Sequence, residues 1–385
     1  MLAELLDGTR IVVCLGAGGV GKTTTAATLA TAAALAGDRV AVLTIDPAAR
    51  LKDALDLPDE AGTLHRVPLP EGTEGSLDAI LLDAKGLFDD LVRRLSGGSA
   101  LAEAILQNPV YRNIAGAFAG SDSYMALEQL LDIAEDERFD LIVVDTPPAT
   151  HALELFDAPE RILALLESNA LDYLSEPIRI LGAATGRFAR GLLSGVLSAL
   201  ERLTGLSLMS DISRLATDFG AIAPAFRERA HAIRELLHGD ETRFVLVTAP
   251  DPHLTREVVA FAHEIDEAGI PIDAVIINRL FDPAAWAAAL EPQQPASSAP
   301  GGKAVAPWSA ALARKLVQCL REIEARQMRQ EQLVAELRAA LDDVGTHSEA
   351  RLWARLPARH PAPTTLSAIT QLAEALRPPE AADQG

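Results

Sequence analysis

The sequence predicts an α/β protein built on a mainly parallel sheet covered by helices on both faces, with a helical subdomain inserted into it. Three observations carry this reading. Short β-branched runs alternate with longer helix-like patterns along the chain. The runs are apolar throughout instead of alternating, as strands buried on both faces are. Two long stretches then abandon the rhythm for helical periodicity alone.

The first run, RIVVCLG (10–16), leads straight into a glycine-rich stretch, and TTTAATLATAAALAG (23–37) after it reads as a helix stopped by Gly37. RVAVLTID (39–46) is a second strand closing on Asp46, and LDAILLDA (77–84) a shorter third. FDLIVVDTPP (139–148) is a fourth, closing on Asp145. RFVLVTAP (243–250) and IDAVIINR (272–279) are a fifth and sixth, separated by the helix HLTREVVAFAHEIDEAG (253–269), and ARLWARLP (350–357) is the last. From 85 to 137 and from 151 to 239 the pattern is nearly all helical, with Leu193, Val196, Leu197, Leu200 and Leu203 at helical spacing. These segments are expected to form the two parts of a helical subdomain, set between core segments at 1–84, 138–150 and 240–385. A Pro/Ser/Gly-rich stretch at 291–307 reads as a mobile linker ahead of a charged amphipathic helix from Trp308 to Leu341.

Composition narrows the function classes. With 385 residues, 49% hydrophobic and 23% charged, the chain can bury an extensive core. Its 34 Lys and Arg against 54 Asp and Glu give a net charge of -20, which repels nucleic-acid phosphates and anionic lipid headgroups alike. No nucleic-acid partner is expected. No stretch approaches the ~18 uninterrupted apolar residues of a membrane span, so no stable membrane insertion is expected either. The opening MLAELLDGTR lacks a basic region followed by an apolar run, and a cytoplasmic location is expected. Cys14 and Cys319 are too far apart in sequence for a disulfide framework or a CxxC metal half-site. Cys14 is expected in the core.

The chemistry is carried by CLGAGGVGKTTT (14–25), which meets G-x-x-x-x-G-K-[ST] at Gly16, Gly21, Lys22 and Thr23 between a strand and a helix. That is the context of a P-loop NTPase. The loop Gly18, Gly19, Val20 and Gly21 turns backbone N–H groups toward ATP phosphates, and the following helix adds its positive amino end. Lys22 can reach the β- and γ-phosphates, the Thr23 hydroxyl can ligate Mg²⁺, and Thr24 is placed for the α-phosphate side. Asp145, after LIVV, has the position of a Walker B carboxylate that holds Mg²⁺ through water. Asp46, in TIDPAAR, can orient or deprotonate the attacking water; an Asp-Pro turn is the alternative. Asn278, in IINR, offers an amide suited to the edge of adenine, with Arg279 beside it, and capping of a strand end is its alternative. His151 is expected to pack at a helix start.

Four pieces in order, GAGGVGKTTTAATLA, TIDPAARLKDAL, DTPPATHALELF and IINR, together with the ending LPARHPAPTTLSAITQLAEAL, resemble the anion-transporting ATPase family. That family holds the arsenite-efflux pump ATPases and the ATPases that target tail-anchored membrane proteins, all with a deviant Walker A loop. The resemblance implies a dimer that sandwiches two ATP molecules, a water-activating aspartate at Asp46, and a helical subdomain that holds cargo as hydrolysis opens and closes it. The partner is then a second copy or a paralogue, and the cargo a hydrophobic client segment.

The chain departs from the family in three places. Ala17 stands where members send a loop lysine to the partner's nucleotide, with Arg50 and Arg279 as candidate replacements for that charge. Leu320 and Ile323 stand where the targeting ATPases carry a zinc-binding CxxC, so no zinc is expected. The cysteine cluster of the arsenite enzymes is missing, so arsenite transport is not expected.

The reading that results is a Mg-dependent ATPase acting on an apolar client. Its alternative is a nucleotide-dependent assembly protein with weak hydrolysis. A chromosome- or membrane-positioning ATPase is disfavoured by the charge and by the tail RPPEAADQG, which is neither basic nor amphipathic.

Overall fold

The computed structural model describes residues 2–45, 50–58, 60–112, 122–167, 208–283, 310–344, 351–358, 363 and 365–376. Among them an eight-stranded sheet runs in the order β3-β4-β2-β5-β1-β6-β7-β8. The strands are β1 (Ile11–Leu15), β2 (Arg39–Thr44), β3 (Leu64–Val67), β4 (Ser76–Leu81), β5 (Leu141–Asp145), β6 (Thr242–Thr248), β7 (Ala274–Leu280) and β8 (Leu352–Pro357). Every neighbouring pair is parallel except β3 and β4, which are antiparallel. The central strands β1 and β5 are buried at every residue, as continuous apolar runs in a doubly covered sheet require.

The seven runs read from the sequence are all strands, and β3 is the one the sequence hid. LHRV has no β-branched run and is only part-buried, because it pairs at the sheet edge with β4 through Leu64 to Ile80 and Val67 to Leu77.

The helices are α1 (Leu2–Leu6), α2 (Lys22–Ala36), α3 (Arg50–Leu55), α4 (Ala84–Leu95), α5 (Ala100–Gln107), α6 (Asp122–Ala134), α7 (Ala149–Glu167), α8 (Leu208–His238), α9 (Pro252–Glu267), α10 (Ala310–Asp342) and α11 (Leu366–Leu376). Helix α2 is buried on almost every face, between the sheet and α3 and α11. Its alanines and threonines explain how: small side chains let a helix approach neighbours on several sides at once. It ends on Gly37 at φ 115, the left-handed residue of a helix C-terminus.

Helices α4 to α8 pack on one another beside the sheet. Phe88 of α4 stacks on Tyr111 and on Phe219 of α8, and meets Phe226 of α8 at a tilt. Arg229 of α8 donates to Glu128 and Asp132 of α6, at 2.5 and 2.7 Å. Glu128 is fully buried and its carboxyl is pushed up by burial, while the Tyr124 hydroxyl and Arg229 pull it back down. The apolar stripe from Leu193 to Leu203, the side chain of Met209 and the 291–307 linker lie outside the described residues.

Candidate active site

The phosphate loop follows β1 directly and ends at the first turn of α2, as the strand–loop–helix reading requires. Two of its glycines are demanded by space as well as by backbone conformation. Gly16 has φ 151, and a Cβ there would lie 2.3 Å from the Val247 carbonyl oxygen of the adjacent strand. Gly21 has φ 93, and a Cβ there would lie 2.3 Å from Nδ2 of Asn278. Gly18 and Gly19 form the exposed crest of the loop, while Ala17 and Val20 turn into the core.

Lys22 is buried and folds back along the loop, its Nζ donating to the carbonyls of Gly16 and Ala17, both at 2.9 Å. The Gly16 carbonyl also accepts the N–H of Ala149 at 3.0 Å, which ties the start of α7 to the loop. Thr146 adds a second tie by donating its hydroxyl to the Cys14 carbonyl at 2.7 Å. The segment after β5 is thereby stitched to the phosphate loop by contacts that the motif alone does not reveal.

Asp145 closes β5 in register with Cys14 of β1 and Thr44 of β2 and is fully buried. Its Oδ2 accepts the Thr44 hydroxyl at 3.1 Å. Thr44 escaped the sequence reading; its signal is a lone hydroxyl at the end of an otherwise apolar strand. Burial pushes the Cys14 thiol far up, with the Asp145 carboxylate adding to the push, so Cys14 is an inert core residue as expected.

Above the loop lies a cleft of 280 Å³ lined by Gly19, Gly21, Lys22, Thr23, Thr24, Arg50, Asp53, Ala54, Arg279 and Pro363. The structure therefore brings together the loop, α3 and the end of β7. Asn278 does not line this cleft. Its Nδ2 donates to the Val20 carbonyl at 3.0 Å and its Oδ1 accepts the Arg279 N–H at 2.8 Å, so the amide acts as a strut between β7 and the phosphate loop. Asp46 lies outside the described residues, in the span that joins β2 to α3.

The fit to nucleotide and metal follows from the donors. A loop whose Gly21 closes against Asn278, followed by the amino end of a 15-residue helix, offers backbone N–H groups and positive potential to phosphate. A hydroxyl at Thr23 and a carboxylate at Asp145 are hard oxygen donors of the kind Mg²⁺ takes.

Comparison with known proteins agrees. Residues 9–290 match the family described as Anion-transporting ATPase. Similar proteins include ATPase GET3 of Chaetomium globosum, 28% identical over 289 residues that cover 73% of this chain and 76% of the relative. ATPase GET3B of Arabidopsis thaliana is 25% identical over 302 residues, covering 73% of this chain and 67% of the relative. ATPase GET3 of Malassezia globosa is 24% identical over 285 residues, covering 73% of this chain and 76% of the relative. The P-loop, the parallel sheet around it and a family match across most of the chain lead to one conclusion: this protein belongs to the anion-transporting ATPase family and is an ATP hydrolase.

Proposed function

We propose that this ATPase depends on Mg²⁺ and couples nucleotide-driven opening and closing of a dimer to the binding of an apolar client segment. The observations that carry the chemical part are buried Lys22 and Thr23 in the first turn of α2 and buried Asp145 at the carboxyl end of β5, in register with Cys14 just ahead of the loop. The loop N–H groups and the amino end of α2 hold the phosphates. Lys22 moves its donors from the Gly16 and Ala17 carbonyls to the β- and γ-phosphates. Thr23 and, through water, Asp145 hold Mg²⁺, which when bound neutralises phosphate charge. Asp46 takes or orients the proton of the attacking water. Asn278 keeps one amide hydrogen for adenine while it braces the loop.

The client reading rests on the helical subdomain expected at 85–137 and 151–239, whose described helices α4 to α8 pack together. Its cargo face is the leucine stripe around Leu197, and the client is a segment of transmembrane character, as the resemblance to tail-anchored-protein-targeting ATPases implies. The protein works as a homodimer or beside a paralogue, in the cytoplasm. Among the described residues no helix is long and apolar enough to cross a membrane.

The test is peptide capture. An Asp46→Asn protein loaded with ATP binds a transmembrane-like peptide, and Leu197→Asp lowers that binding without changing the thermal melt or the nucleotide affinity. Failure to bind the peptide in any nucleotide state contradicts the reading. One observation favours the second reading, nucleotide-controlled assembly with weak hydrolysis: Ala17 in the loop is buried and uncharged. Turnover that does not respond to peptide would select that reading.

A further inference from the structure

The cleft over the phosphate loop is lined by two arginines carried by well-separated parts of the sheet. Arg50 opens α3, after β2, whereas Arg279 lies on β7; β5, β1 and β6 stand between those two strands. Both side chains are exposed, and both line the cleft together with Lys22 and Thr23.

Arg279 is also conformationally unusual. Its φ is 60, in the left-handed region that side chains with a Cβ avoid, and it sits where the register between β7 and β8 slips. Asn278 sustains this conformation by accepting the Arg279 N–H, while its other end grips the Val20 carbonyl of the loop. A strand that merely needed to bend here would be served by glycine or asparagine. Strain kept at a bulky residue on the wall of a cleft marks a side chain whose direction matters.

We propose that Arg50 and Arg279 form a clamp, supplied by one chain, on the polyphosphate of the bound nucleotide. Lys22 and the amino end of α2 hold the anion from the loop side, and the two guanidinium groups close on it from either flank. Their planar forks suit phosphate oxygens, which they can engage in pairs. Among the described residues that line the cleft, Asp53 is the one carboxylate beside the cations Lys22, Arg50 and Arg279. The inference rests on the reading of this cleft as the ATP site.

The test uses calorimetry of Mg-ATP and Mg-ADP on the full chain, with adenosine as a competitor and the thermal melt of ligand-free protein beside it. Arg50→Ala and Arg279→Gly each weaken ATP and ADP binding about tenfold or more, the worth of a charge-assisted pair. Adenosine, which has no phosphate, competes with unchanged affinity. Arg279→Gly at the same time raises the melting temperature of the ligand-free protein, since glycine adopts φ 60 without strain. Higher stability with unchanged ATP affinity would overturn the clamp and leave Arg279 as a strained strand end. Unchanged affinity in Arg50→Ala would overturn it as well. A wild-type protein that does not bind Mg-ATP, with Lys22→Ala no different, would instead refute the nucleotide site on which the clamp rests.

Discussion

Replacing Gly21 by alanine tests whether the phosphate loop and β7 are one mechanical unit. Two costs can be worked from the structure. At φ 93 a Cβ carries the left-handed penalty of roughly 1–2 kcal/mol. The same Cβ would lie 2.3 Å from Nδ2 of Asn278 and must displace the amide. That breaks its bond to the Val20 carbonyl and leaves buried polar groups unsatisfied, at about 1–3 kcal/mol. The sum, about 2–5 kcal/mol, is a large part of the 5–15 kcal/mol that holds a typical protein folded. Denaturant unfolding of the ligand-free protein measures it. The informative comparison is a cycle with Asn278→Ala, which makes room for the new methyl group. In that background Gly21→Ala should cost only its backbone penalty, so the two substitutions together should cost about 1–3 kcal/mol less than their sum. Additive costs, within about 0.5 kcal/mol, would refute the claim that Asn278 braces the loop.

Two further predictions concern the rest of the frame. Arg229→Met removes the cation that answers fully buried Glu128, and should destabilise the protein by about 3 kcal/mol or more in denaturant unfolding. Adding Glu128→Gln should recover part of that loss. Hydrogen bonds from Arg39 hold the Asp140 carboxyl down at about 2, from its ordinary 3.8. A carboxyl depressed in the folded state stabilises above its unfolded pKa and loses that contribution as pH falls through the folded one. The stability gap between wild type and Asp140→Asn should therefore be complete above about pH 5 and close only below the folded pKa, near about pH 1, with denaturation midpoints across that range as the check.

Much of the frame was legible because the signals are local. Seven strands announced themselves as apolar runs, and the loop announced itself by its glycines, Lys22 and Thr23 between strand and helix. β3 did not, because an edge strand with one covered side needs no apolar run. The individual contacts of the site were hidden for a different reason. Asn278 was readable as a polar residue closing a strand, but its bond to Val20 joins residues 258 positions apart and exists only because β6 lies between β1 and β7. The approach of Arg50 and Arg279 to one cleft is likewise a product of strand order. Neither residue stands in the glycine-rich motif, and the left-handed backbone of Arg279 has no signature in IINR. Thr44 shows the same limit: its partner, Asp145, is neighbouring in the sheet and 101 residues away in the chain.

The most direct test of the central claim pairs ATP binding with steady-state ATP turnover in wild type, Lys22→Ala and Asp46→Asn. The account predicts that Lys22→Ala loses ATP binding altogether, whereas Asp46→Asn binds ATP as wild type does and turns it over slower by on the order of 10² or more, the usual worth of a general base. Equal loss of binding in the two variants would make Asp46 a structural residue, and ATP binding unchanged by Lys22→Ala would contradict the assignment of this loop as the nucleotide site.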